Sequence, residues 1–359
     1  MRPDSPVRLL RAVALAALVG LAGCAEPHYV MRADPAAEAA PAQVWPAAPE
    51  TPRYRFVGQL LGEENFVPEH ADSRGGGVKL LRWLVGLVGG EEDKLTLKRP
   101  QSGVVDARGR VCVTDVANHA VMVFDQQAGK LLVWGQADAG RRFVTPVGIA
   151  NGPDGQLLVA DAELGQVFRL SSAGLPLGGF GAGILTRPTG LARDAARGRT
   201  YVADTHAHDV KVFADDGRLI ETIGARGEEA GQFNFPTHLT FAADRLYVAD
   251  TMNARVQIFD AAGKALGVLG KRGLYLGNLT RPKGVAVDPS GNVYVIESYY
   301  DNMLVFSGAG QFLMPLGGSG KEVGQFYLPS GAWSDAQGRI YVADMFNGRV
   351  VIFQFLGGA

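Results

Sequence analysis

Apolar residues in this chain fall in short runs, and each run stops at turn-forming residues. Residues 282–317 show the arrangement: PKGVAVDPSGNVYVIESYYDNMLVFSGAGQFLMPLG. GVAV, VYVI, MLVF and QFLMPLG are the apolar runs, and DPSGN, an acidic loop and SGAG separate them. Runs this short, rich in Val, Ile and Phe, predict strands and not helices. The intervening residues are those that turns need: Pro presets φ, Gly supplies positive φ, and Asp and Asn bond their own backbone. Four antiparallel strands follow from one such unit. Because the central runs are apolar without alternation, both faces of the small sheet are expected to be buried.

The unit repeats. RVCVTDVANHAVMVFD (110–125), LLVADAELGQVFRL (157–170), TYVADTHAHDVKVFAD (200–215), RLYVADTMNARVQIFD (245–260), VYVIESYYDNMLVF (293–306) and IYVADMFNGRVVIF (340–353) are six copies of one text. Its acidic residue falls at Asp115, Asp161, Asp204, Asp250, Glu297 and Asp344, so the spacings are 46, 43, 46, 47 and 47 residues. A proline keeps step at Pro100, Pro146, Pro188, Pro236, Pro282 and Pro329. Six four-stranded units at a period in the forties predict an all-β fold, a six-bladed β-propeller of antiparallel blades. The sixth copy stops after RVVIFQFL, one strand short, while RYRFVGQLLG (53–62) matches the fourth runs RLIETIG, KALGVLG and QFLMPLG. The N-terminal strand is therefore expected to close the last blade beside Val350–Phe355, which removes two open sheet edges.

The shared text, P-x-G followed by an apolar run and later Y-V-A-D-T-x-N-x-R-V-x-(apolar)-F, resembles the NHL-repeat family of six-bladed propellers over about residues 97–355. LYVADTMNARVQIFDAAG in the fourth copy carries it best; the second and fifth depart at Glu163-Leu164-Gly165 and Tyr299-Tyr300. The resemblance implies the fold, and one fold hosts many activities.

The N-terminus changes the picture of where the propeller resides. Arg2, Arg8 and Arg11 precede an apolar run from Ala12 to Ala22, too short to span a bilayer, where about 20 residues are needed. This is the layout of an export signal over 1–23. LAGC at 21–24 resembles the lipobox of bacterial lipoproteins, which implies cleavage before Cys24 and acylation of its sulfur. Ala25, in place of an aspartate, points to the outer membrane. Residues 24–52 are rich in Ala and Pro and read as an extended tether reaching several tens of Å at roughly 3 Å per residue. The folded domain is expected over 53–359, with a long linker at 63–99.

Losing 1–23 removes three arginines and one aspartate and moves the net charge from −1 to −3. That balance excludes the basic surface of a nucleic-acid binder. With Cys24 acylated, Cys112 is the lone remaining cysteine, so neither a disulfide framework nor a RING-type zinc domain is available. Cys112 aligns with Leu158, Tyr201, Tyr247, Tyr294 and Tyr341 and reads as a buried strand residue.

Six equivalent carboxylates are a scaffold: an aspartate at a strand end accepts hydrogen bonds from its own turn, with Arg255 and Arg349 bracing the same loops. Function is sought where the copies differ, and the loop after each second strand shares a face with the P-x-G segments around the channel mouth. His238 stands in PTHL where other copies have PTGL, PKGV and PSGA, and the preceding copy offers His206 and His208. Three imidazoles from neighbouring blades would suit zinc or another borderline metal; packed or exposed loop histidines are the alternative. No other cofactor is expected. VKLLRWLVGLVGG (78–90) carries only Lys79 and Arg82. As a helix it sets both cations on one side and Trp83 elsewhere, and it reads as a lid, a docking element, a lipid contact or extra core. Tyr299 and Tyr300 replace small residues and are either binding anchors or a cover for apolar surface.

The pattern is also similar to peptidyl-hydroxyglycine amidating lyases, a resemblance that implies metal-binding histidines directly after the lead-in prolines. Gln101, Val147, Thr189, Thr237, Lys283 and Ser330 stand there instead. The chain also lacks a nucleophile elbow, a P-loop and a haem-attachment motif. The expectation is a monomeric, lipid-anchored interaction or assembly module for an envelope protein or a secreted peptide, with His238, His206, His208, Tyr299, Tyr300, Lys283 and Trp83 on the binding face. A channel-mouth lyase or lactone hydrolase, or a small-ligand binder, is the alternative.

Overall fold

The structure is a computed structural model that describes residues 28–33, 43–69 and 94–357. Five four-stranded antiparallel sheets and one five-stranded sheet form the ring of six blades. In blade 1 the strands run Pro100–Val105, Val111–Asp115, Ala120–Asp125 and Lys130–Trp134 from the inside outwards. Among the described residues there is no α-helix, only short 3-10 turns.

Packing follows from the two-faced apolarity of the central strands. Tyr294 and Ile296 of blade 5 meet Ile340, Val342 and Phe353 of blade 6 in one cluster, and Val293 and Val295 of the same strand meet Tyr247 and Ala249 of blade 4 in another. Alternate residues of one strand thus feed two successive interfaces. Cys112 is fully buried between blades 1 and 2, and burial pushes its thiol pKa up, which makes it an inert core residue.

The ring closes as the repeat arithmetic predicts. With β1 at Tyr29–Met31 and β2 at Val44–Trp45, the strand β3 (Tyr54–Leu60) pairs antiparallel with Arg349–Phe355, from Phe355↔Tyr54 to Val350↔Leu60. Tyr54 and Leu60 are buried, and the Tyr54 hydroxyl lies 3.2 Å from that of Tyr294. Burial lifts the Tyr54 pKa to about 12.

The tether differs from expectation. Val44–Trp45 adds a fifth strand to blade 6 against β3, and Tyr29–Met31 pairs with β4 (Phe66–Pro68). Asn65 secures this layer by donating to the carbonyls of Arg32 and Gln59, at 2.9 and 2.8 Å. Composition had hidden these strands because each is two or three residues long, below the length at which a pattern emerges. Cys24, the signal segment, and 78–90 with Trp83 lie outside the described residues.

Candidate functional site

In blades 1 to 5 the inner strand starts at its proline and pairs there with the acidic residue ending the second strand, as in Pro146↔Asp161 and Pro282↔Glu297, while in blade 6 it starts at Ala332, just past Pro329. The loops leaving the second strands and the lead-in loops between blades therefore share one face, the loop face. The tight hairpins between first and second strands occupy the opposite face.

The buried acids are staples. Asp115 accepts from the backbone N–H groups of Lys98 and Arg99 at 2.6 and 3.0 Å, and from Ala117 and Asn118 at 3.0 Å each. One carboxylate thus ties the arriving loop to the departing one. Asp250 accepts from Asn234 N and from Arg255 Nε, both at 2.7 Å, while Arg255 Nη2 donates to the carbonyls of Glu229 and Gln232 at 2.9 Å. Asp344 and Arg349 repeat the arrangement. Burial raises the Asp344 pKa, and the donors from Tyr327, Asn347 and Arg349 oppose that rise. These carboxylates are buried and spent on holding the loops in place.

The positions after the lead-in prolines are also structural. Thr189 Oγ1 donates to Thr237 O at 2.8 Å, Thr237 Oγ1 to Lys283 O at 3.0 Å, and Ser330 Oγ to Pro100 O at 3.0 Å. Hydroxyls here stitch neighbouring blades around the channel mouth. Lys283 sits in this ring, half-buried, and burial and then the nearby Arg281 charge depress its pKa.

Two places depart from the repeat. The first is blade 5. Three lead-in loops share one backbone: Gly227, Gly273 and Gly320 donate to the carbonyls of Phe233, Leu279 and Phe326, and Gln232, Asn278 and Gln325 donate to those of Glu229, Tyr275 and Glu322. Their tips read Glu228-Glu229-Ala230, Leu274-Tyr275-Leu276 and Lys321-Glu322-Val323. The blade 5 tip exposes Leu274 by 78%, Tyr275 by 85% and Leu276 by 65%. With Tyr300 and Leu304 it lines a pocket of about 390 Å³. Tyr299 stacks edge-on to Tyr300 at 5.0 Å, and Lys271, Arg272 and Arg281 are exposed beside the tip. Farther round the face, Tyr327 contacts Phe346, over which Arg99 lies.

The second departure is in the channel. The third residue of the inner segment is Ser102, Gly148, Gly190, His238, Gly284 and Gly331 around the ring. At Gly148 a Cβ would strike the Thr189 carbonyl, at Gly331 that of Gln101, and at Gly190 the Cα of His238. Ser102 and His238, three blades apart, carry side chains instead, and these meet across the channel: Ser102 Oγ lies 3.3 Å from His238 Nε2. Val285 N–H donates to His238 Nδ1 at 3.4 Å, so Nε2 carries the ring proton and points it at Ser102. Burial pushes the His238 pKa down to about 4. A neutral ring in this tautomer cannot accept the serine proton, so the pair is no nucleophile–base couple.

The three histidines do not converge. His208 Nδ1 accepts from Phe235 N at 3.2 Å and its ring packs on Phe235 at 4.4 Å, with exposed His206 on the same ring at 6.1 Å. Among the described residues no cluster of three or more metal-ligating side chains forms. The proline-to-Gly alignment singles out His238 as a departure from the repeat, but the sequence could not show that its side chain turns inward towards Ser102. Tyr299 and Tyr300 are exposed loop-face residues as expected. Leu274, Tyr275 and Leu276 were missed; aligning the three lead-in loops, and not only the strands, would have found them.

No family model matches the chain, and no curated protein matches it. Solved structures do. A Bacteroides thetaiotaomicron VPI-5482 protein of unknown function aligns with TM-score 0.58 at 13% identity, over 72% of this chain and 70% of its own. Virginiamycin B lyase from Staphylococcus aureus aligns with TM-score 0.55 at 13% identity, over 73% and 98%. An auxiliary nutrient binding protein from Bacteroides ovatus ATCC 8483 gives 0.55 at 13%, over 72% and 69%. At these identities the likeness is one of fold, and the chain is a six-bladed β-propeller.

Proposed function

We propose that this propeller is an NHL-type, lipid-anchored interaction module of the cell envelope whose binding element is the blade 5 corner of the loop face. The observation that carries the reading is the tip Leu274-Tyr275-Leu276. Two loops with the same backbone place charged residues there, so the fold does not need apolar ones. Exposing them forfeits solubility with no return to the core, which marks a recognition patch.

The patch defines its partner's chemistry. A pocket of about 390 Å³ accepts one large apolar side chain, and Lys271, Arg272 and Arg281 around it favour acidic groups beside that anchor. An acidic, apolar-anchored segment of an envelope protein or secreted peptide fits both. The site where the chain meets the membrane supports a protein partner over lipid. With acylation at Cys24, the chain from Cys24 to Tyr29 spans less than about 20 Å. Tyr29 packs at Gly129, in a hairpin turn of blade 1 on the side away from the loop face. The anchor then approaches from the turn side, and the blade 5 patch looks away from the bilayer. The short reach also replaces the long tether expected from composition.

A photo-crosslinking residue at Tyr275 tests this in intact cells, with the same residue at Glu229 of blade 4 as the control. One discrete adduct from position 275, and none from 229, is expected. Adducts of equal yield from both positions would refute a patch confined to blade 5.

A further inference from the structure

The channel holds a second feature, independent of the blade 5 patch. Below the Ser102–His238 contact, towards the hairpin face, lies a cavity of about 310 Å³. Val104, Ile149, Leu191, Phe241 and Trp333 form its walls, and Asn151, Thr240, Arg193 and Ser334 stand nearer the hairpin ends of the inner strands. Trp333 is fixed by stacking on Tyr341, with ring planes 4° apart, and a Cβ at Gly103 would strike its ring. Trp333 is thus held in place, and the crossing pair lies at the inner end.

We propose that this cavity binds a small uncharged molecule with an apolar body, whose carbonyl oxygen accepts a hydrogen bond from the Ser102 hydroxyl. The size is at the lower limit of small-molecule sites, and a mostly apolar wall with few polar groups is their usual make-up. The polarity of the inner end is set by the tautomer. His238 Nε2–H donates to Ser102 Oγ, which leaves the serine proton for an acceptor in the cavity. Charge is excluded by the lining. Among the described residues no carboxylate faces the cavity, and the one guanidinium there, Arg193, is already held by Asp215 through bonds of 3.2 and 2.7 Å. An ion entering would lose its hydration with no free counter-charge to replace it. An amide or ester carbonyl loses far less and gains a donor.

Benzamide and benzoate, which match in shape and differ in charge, are the probes. The readout is the ring-nitrogen resonance of His238 in histidine-labelled protein, assigned by its absence in His238→Gln. Benzamide is expected to move that resonance saturably, and benzoate to leave it in place. Ser102→Ala is expected to weaken benzamide roughly threefold to tenfold, the worth of one neutral hydrogen bond. Should that variant fold poorly, Ser102→Gly installs the residue four other blades carry. The proposal is overturned if benzamide gives no saturable movement, if benzoate binds as well, or if removing the Ser102 hydroxyl leaves benzamide affinity unchanged.

Discussion

Lowering the pH puts the crossing histidine under load. His238 is held neutral in the folded channel with its pKa depressed to about 4, against about 6.5 in an unfolded chain. The folded value is the lower one, so the unfolded chain binds more protons between those limits. Stability from this group is complete above about pH 6.5 and is lost as the pH falls towards about 4. At 1.36 kcal/mol per unit, the loss is about 3 kcal/mol. Urea unfolding at several pH values from about 7 to about 4, for the wild type and for His238→Gln, isolates it. Glutamine keeps a donor towards Ser102 and cannot titrate. The buried carboxyls of Asp209 and Asp344, whose pKa values burial raises, act with the opposite sign, but they are common to both proteins and cancel in the difference. The wild type should lose about 3 kcal/mol more than the variant across that interval. Parallel pH profiles would show that His238 is solvated and protonates freely, which would refute its desolvation in the channel.

Three further outcomes follow from the scaffold. Gly331→Ala drives a Cβ into the Gln101 carbonyl and should destabilise by about 1–3 kcal/mol, read as a lowered melting temperature. Asp250→Ala leaves the half-buried Arg255 without its carboxylate and frees the Asn234 amide, at a cost of about 2–4 kcal/mol, while Glu229→Ala on the exposed tip next to it should be silent in the same unfolding assay. Deletion through residue 62 removes β3 and exposes the edge of blade 6, so cooperative melting should disappear; an unchanged melt would show that the ring closes without it.

Repetition is what made the fold readable. Six carboxylates and six prolines in step located every blade, and the missing outer strand of the sixth copy identified Tyr54–Leu60 as its replacement. The acids are read as structural because they recur, and the backbone N–H of the arriving loop donates to each of the six. The proposed recognition patch is the opposite case, built from residues that do not recur. His238 broke the glycine pattern and was visible, yet the direction of its ring depends on Val285 and Ser102, which are 47 and 136 residues away in sequence. Leu274-Tyr275-Leu276 carries no sequence signal of its own. Its meaning appears only when the backbone of that loop is seen to match two charged ones. The strands Tyr29–Met31 and Val44–Trp45 were too short for any period to declare them.

Transplanting one loop tip onto another decides whether the blade 5 corner recruits an acidic, apolar-anchored partner. L274E/Y275E/L276A gives blade 5 the tip that blade 4 already folds with, so the scaffold is spared. Affinity isolation of both proteins from cross-linked membranes, at matched amounts and with matched melting temperatures, should recover a partner with the wild type and lose it with the variant. A partner recovered equally by both would contradict the account.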